Sequence, residues 1–284
     1  MVRLTWVVDD NARRPLRAEH GYAMWIAAPG GQVLLDTGGS GDVLLHNLGA
    51  LGFDPARLDA LVLSHGHDDH TGGLAALLSF LRPGTPVFAH PTLFTQRYST
   101  KSGELRERGL RVSQDDLPGH VVFRFNTGPV EVVPGVWTTG EVQPRPNPEG
   151  RSPHHFVKRG DELVADPYAD DLSLMVRVAG DRMLLLCGCC HAGLLNTLAQ
   201  ARRVRQEPIV AVAGGVHLAG APDEVIDKTV SVLGTMDSLR TLWLGHCSGQ
   251  EILEAARADL SGVLVRQGSG GEHLVIDAGE VVCE

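Results

Sequence analysis

One plan recurs along this chain. A short apolar run ends at a side chain able to bind a metal, glycine sits nearby, and helical spacing follows. It is clearest in LDALVLSHGHDDHTGGLAALL and RMLLLCGCCHAGLLNTLAQA and fainter in IVAVAGGVHLAG and TLWLGHCSGQEILEAA. QVLLDTGGSGDVLLHNL repeats it with Asp in place of His. In open α/β sheets the strand ends face a shared crevice, so such residues are expected to converge.

The apolar runs predict buried strands at Leu4–Val8, Tyr22–Ala27, Gln32–Leu35, Ala60–Leu63, Pro86–Ala89, Leu172–Val178, Met183–Leu186, Ile209–Val212, Leu242–Leu244 and Val263–Val265. Helical spacing covers Asp42–Leu51, Gly73–Phe80, Leu194–Val204, Asp223–Leu233 and Gln250–Leu260. Strands alternating with helices predict an α/β fold. The segment 92–171 is rich in Pro, Gly, Arg and His and reads as an insert or lid. It joins a first half of about 1–91 to a second half of about 172–284, within one domain.

At 284 residues, 43% of them apolar, the chain can bury a large core, which excludes a disordered or fibrous protein. No stretch reaches the roughly 20 apolar residues of a membrane span, and the N-terminus lacks the apolar core of a secretory signal. A net charge of −9 argues against nucleic acid as a general partner. Cys187, Cys189 and Cys190 crowd together, poor spacing for a disulfide framework, so a reducing, cytoplasmic setting is expected. Oligomeric state is left open.

The strongest motif is His65-Gly66-His67-Asp68-Asp69-His70. Imidazole nitrogens and carboxylate oxygens suit zinc, iron or manganese. His65 and His67, two apart on an extended turn, point the same way, while Asp69 and His70 follow a bend and can serve a second ion. A solvated His/Asp loop before a helix N-terminus is the plainer alternative, since Asp is favoured there anyway. The density of ligand types argues against it. By the same strand-end logic His191 and His246 are candidate ligands, and His217 a candidate pocket residue. Asp36 either orients a histidine or caps the following turn. His20, His46, His90, His120 and His273 are expected in surface or structural roles.

The spacing His-x-His-x-Asp-His after an apolar strand resembles the signature of the metallo-β-lactamase fold. LLDTGG and GHCSG agree in order with that family's early Asp motif, at Asp36, and its last ligand His, at His246. HGHDDHTGGL, GCCHAGLLNTL, GGVHL and GHCSG together are similar to a subgroup named for 7,8-dihydropterin-6-yl-methyl-4-(β-D-ribofuranosyl)aminobenzene 5′-phosphate synthase. The resemblance implies an αββα sandwich of two similar halves, with the metal site at the sheet edge. It implies an enzyme with two divalent ions, Zn with Mn or Fe as alternatives. Its ligands would be His65, His67, Asp69, His70, His191 and His246.

The chain departs from the family at two points. The usual bridging Asp after Met183–Leu186 is missing, and Cys189 is its likelier replacement. The isolated third His is hard to find, with His191, Asp166 and the pair His154-His155 as rivals for it. If Leu186 points into the core, continued strand alternation would put Cys187 and Cys189 on one side and Cys190 on the other.

The implied chemistry is hydrolysis or transfer at an ester, phosphoester or diphosphate of a small anionic molecule, a pterin-related one among the candidates, with Asp69 as ligand and base. Arg145, Arg151 and Lys158 are candidates for holding the anion. An iron-containing redox or sensing protein on the same fold is the alternative, and a non-catalytic binding module a weaker one.

Overall fold

The computed structural model describes residues 1–277 and 280–283. The first sheet has eight strands. In spatial order these are Glu280–Cys283, His273–Asp277, Val2–Val8, Ala23–Ala28, Gly31–Leu35, Ala60–Val62, Pro86–Ala89 and Val122–Phe125. The second sheet has seven: Leu264–Gln267, Thr241–Leu244, Ile209–Gly214, Arg182–Cys187, Ser173–Val178, Val136–Thr138 and Glu131–Val133.

Side-chain alternation builds the layers. On the strand Arg182–Cys187, Leu184 and Leu186 meet Leu4, Met24 and Leu35 of the first sheet in the central core. Met183, Leu185 and Cys187 point the other way, under the helices Leu194–Val204, Asp223–Gly234 and Gln250–Asp259. On the far side of the first sheet, Leu34, Leu61 and Val87 pack against Gly41–Ala50 and Leu74–Leu78. The order of layers is therefore helix, sheet, sheet, helix. Trp6 joins the two sheets, with edge-to-face contacts to Tyr22 at 5.3 Å and Trp243 at 5.6 Å. No helix among the described residues is long and apolar enough to cross a membrane.

The middle segment, expected as one insert, is divided among three sheets. Val122–Phe125 extends the first sheet beside Pro86–Ala89, and Glu131–Val133 and Val136–Thr138 form an edge of the second. The remainder makes a four-stranded sheet, in the order Glu162–Ala165, His155–Arg159, Arg97–Ser99 and Arg106–Glu107. These strands are short and half-exposed, so they carry little apolar periodicity to read. The C-terminal hairpin also crosses over: His273–Asp277 pairs antiparallel with Val2–Val8 in the first sheet.

Candidate metal centre

The strand Ala60–Val62 ends just before Ser64 and His65, and the helix Asp68–Thr71 begins directly after His67. Between them Gly66 has no room for a side chain: a Cβ there would lie 2.3 Å from the Leu93 carbonyl oxygen and 2.5 Å from Arg97 Nη1. The Gly66 N–H donates to Asp170 Oδ2 at 2.7 Å, and Arg97 Nη2 lies 2.7 Å from the same oxygen. Arg97 also faces Asp166 at 3.3 Å. This buried arginine thus ties the small sheet to the motif loop.

Four histidines are anchored in the same way. His70 Nδ1 lies 2.7 Å from Asp36 Oδ2. His65 Nδ1 lies 2.9 Å from Ser64 Oγ, which itself donates to Asp36 at 2.6 Å. His191 Nδ1 meets the Gly150 carbonyl at 2.9 Å, and His246 Nδ1 meets Asp10 at 2.8 Å. An acceptor at Nδ1 places a proton there and turns Nε2 toward the cleft, the ring orientation that a metal ligand needs. Nε2 of His191 is buried without a hydrogen-bond partner, while Nε2 of His246 faces Asp69 Oδ2 at 3.4 Å. Burial opposes charge on His246, but the charges of Cys247, Asp10 and Asp69 hold that imidazole well above its usual range. Burial holds His65 and His191 well below the usual imidazole range, hence neutral, the form that binds metal.

The free donors collect into two overlapping groups. Asp69, His70, Cys189 and His246 offer ligand atoms within 4.8 Å of one another, as do His65, Cys189 and His191. A third group, His67, His155 and His191, adjoins the second. His65 Nε2 and His67 Nδ1 are 3.0 Å apart, close to the roughly 3.3 Å expected of two nitrogens on one tetrahedral zinc. These residues fit the divalent metal that the fold implies. Cys189 belongs to both main groups, with its sulfur 3.1 Å from His70 Nε2, so it stands where a bridging group would. Burial opposes charge on Asp69, but His70 and His246 outweigh it and hold the carboxyl well below the usual range.

The strand-alternation expectation for the cysteines fails. The strand stops at Cys187, and Cys190 takes a positive φ of 61°. That turn returns the Cys190 thiol to the helix side with Cys187, 3.4 Å from Thr197 Oγ1, and leaves Cys189 facing the cleft. Gly188 is what lets the turn close on the other half: a Cβ there would lie 2.3 Å from Ser64 Oγ.

The cleft encloses about 270 Å³, and His67, Asp69, Cys189, His191, His217 and His246 line it. Asp36 is fully buried behind His70, in the orienting role. Asp166 is turned to Arg97, and its closest approach to His67 is 3.9 Å. His154 lies outside the cleft, near Thr100, whereas its neighbour His155 lines it. Arg145 is spent on the carbonyls of Val142, Pro167 and Tyr168, Lys158 lies exposed on the small sheet, and Arg151 borders a neighbouring cavity.

Sequence reasoning overlooked Asp10 and gave His20 only a surface or structural role. Asp10 follows the strand Val2–Val8, so the strand-end rule used elsewhere could have found it. Its carboxylate holds both His246 and His20, at 2.8 and 3.0 Å. His20 Nε2 lies 3.4 Å from Asp69 Oδ2 at the cleft mouth. The cations at the cleft, Lys101 and Arg108, come from the small sheet and its turn, which had no readable pattern.

Comparison with known proteins agrees with this geometry. The family model described as the metallo-beta-lactamase superfamily matches residues 16–141. The chain is 27% identical to the 7,8-dihydropterin-6-methyl-4-(beta-D-ribofuranosyl)-aminobenzene-5′-phosphate synthase of Methanocaldococcus jannaschii, over 87% of this chain and 88% of that one. A crystal structure of a metal-dependent hydrolase of the beta-lactamase superfamily matches with a TM-score of 0.83 at 26% identity, covering 98% of this chain and 100% of that one. A diphosphatase of the PhnP family shares the fold at 14% identity and a TM-score of 0.53, over the full length of both chains. By motif, fold and relatives, the chain is an enzyme with the metallo-β-lactamase fold, similar over most of its length to members of that superfamily.

Proposed function

We propose that this enzyme uses two divalent ions to cleave or transfer at an ester, phosphoester or diphosphate bond of a small anionic molecule. The observation that carries this reading is the set of four Nδ1-anchored histidines whose Nε2 atoms converge with Asp69 and Cys189. His65, His67 and His191 would hold one ion, Asp69, His70 and His246 the other, with Cys189 between them. A thiolate in the donor set favours zinc over manganese. When bound, such ions supply Lewis-acid polarisation and bring water's pKa toward neutrality.

The chain's own groups do the rest. Asp69, kept ionised by its histidine neighbours, is the carboxylate placed to accept a proton. Asp36 and Asp10 hold imidazole rings in one orientation. Lys101 and Arg108 give the cleft positive charge for an anionic substrate. The printed name of the M. jannaschii relative, a synthase of a compound that joins a dihydropterin to a ribofuranosyl-aminobenzene phosphate, favours group transfer over hydrolysis; the balanced form tested below is an aryl group displacing pyrophosphate from a pterin diphosphate. Free thiols at Cys187, Cys189, Cys190 and Cys247 accord with a reducing, cytoplasmic setting.

The test is turnover of bis(4-nitrophenyl) phosphate, and of a pterin diphosphate with an aminobenzene acceptor, before and after chelation. Chelator-treated protein should lose activity and regain it with zinc. Full turnover by metal-free protein would overturn the reading.

A further inference from the structure

The cleft, at about 270 Å³, lies just below the roughly 300–1,000 Å³ of usual ligand pockets. It has room for a reacting group and little more. A second cavity of about 430 Å³ adjoins it, and the two share Lys101, His217 and Ala219 as walls.

The partition between them is built into the metal centre. The His217 ring sits 4.3 Å from the ring of His191. The segment 148–154 forms the opposite wall of the second cavity, and its Gly150 carbonyl is the anchor of His191 Nδ1. Gly150 has a φ of +82°, and a Cβ there would lie 2.5 Å from the Cys190 carbonyl oxygen, so this wall is pressed against the ligand turn.

The second cavity has two chemistries. Pro153, Leu218, Pro222 and Val225 give it an apolar lining. Lys101 and Arg151 add positive charge, and among the described residues neither has an ion-pair partner. Glu149 makes no ion pair with either. It also lines the cavity, but it is 6% exposed and its carboxylate accepts the Leu195 N–H at 3.0 Å.

We propose that this cavity is the subsite for the non-reacting arm of the substrate, and that it takes an apolar, ring-sized group ending in a phosphate or carboxylate. The apolar body lies on the Leu218–Val225 wall, the anion meets Arg151 and Lys101, and the scissile bond reaches the cleft past His217. The proposal rests on the metal-dependent reading above and names the substrate class for it.

Calorimetry on zinc-loaded protein tests it, with phenylphosphonate and benzoate as probes and inorganic phosphate as the reference. At least one organic anion should bind more tightly than phosphate, and the better of the two identifies the end group. Arg151→Glu, which reverses the charge, and Ala221→Phe, which fills the space, should each weaken that binding by about tenfold, the factor for one lost charge-assisted hydrogen bond. Phosphate affinity should stay unchanged in Ala221→Phe, which leaves the anion contacts in place. Organic anions that bind no better than phosphate, or affinities indifferent to both substitutions, would overturn the proposal. Metal content is measured on the same samples: a wild type that holds no metal overturns the functional reading, while the affinities still decide the cavity.

Discussion

Asp36 governs two imidazoles through one buried carboxylate, directly at His70 and through Ser64 at His65. Asp36→Asn keeps the shape but offers only one acceptor oxygen. It should weaken zinc binding about 10- to 100-fold in competition with a chromophoric chelator. Unchanged affinity would show that the orientation of these rings does not depend on Asp36. Cys189 is the chain's own departure from the family pattern. In cobalt-substituted protein its thiolate should give a charge-transfer absorption that Cys189→Ala abolishes; a band that survives would remove Cys189 from the centre. At this scale the sequence was informative where a ligand type followed an apolar run, as at His65, His191 and His246. It was silent on Arg97 and Lys101, which reach the site from a segment without periodicity.

The small sheet and the motif loop meet at Arg97, 2% exposed, between Asp166 and Asp170. Arg97→Met leaves both carboxylates buried without their cation and should cost about 3–5 kcal/mol in denaturant unfolding. A loss below about 1 kcal/mol would mean that the ion cluster does not bind the two elements together. The strands of the two halves were readable because they are buried and β-branched. The strands Val122–Phe125 and Glu162–Ala165 were not, because much of their surface faces solvent. Cys190 shows the limit of alternation: the period of two holds only while the strand lasts, and the strand ends at Cys187.

The whole molecule carries a pH-dependent term at Asp171. Burial raises its carboxyl to about 6 from an ordinary 3.8. A folded pKa above the unfolded one means that the folded chain holds the proton more tightly. This contribution to stability is full below pH 3.8 and is lost as pH rises through about 6. Asp171→Asn keeps an acceptor for the Ala192 N–H and removes the titration. It should flatten stability between about pH 4 and 6 and raise it near neutrality by on the order of 2–3 kcal/mol. Unfolding of chelator-stripped protein reads this without the pH slope of metal binding; an identical slope in wild type and variant would refute it.

The layered architecture was legible from alternating strands and helices and from the resemblance they supported. The crossover of the C-terminal hairpin to Val2–Val8 was not, because pairing between chain ends leaves no local signal. The account as a whole turns on two ions sharing one cleft. Anomalous diffraction at the zinc edge from reconstituted crystals tests this most directly. Two peaks are predicted, one against His65, His67 and His191 and one against Asp69, His70 and His246, with the Cys189 sulfur between them. Zinc at full loading that leaves this cleft without a peak would contradict it.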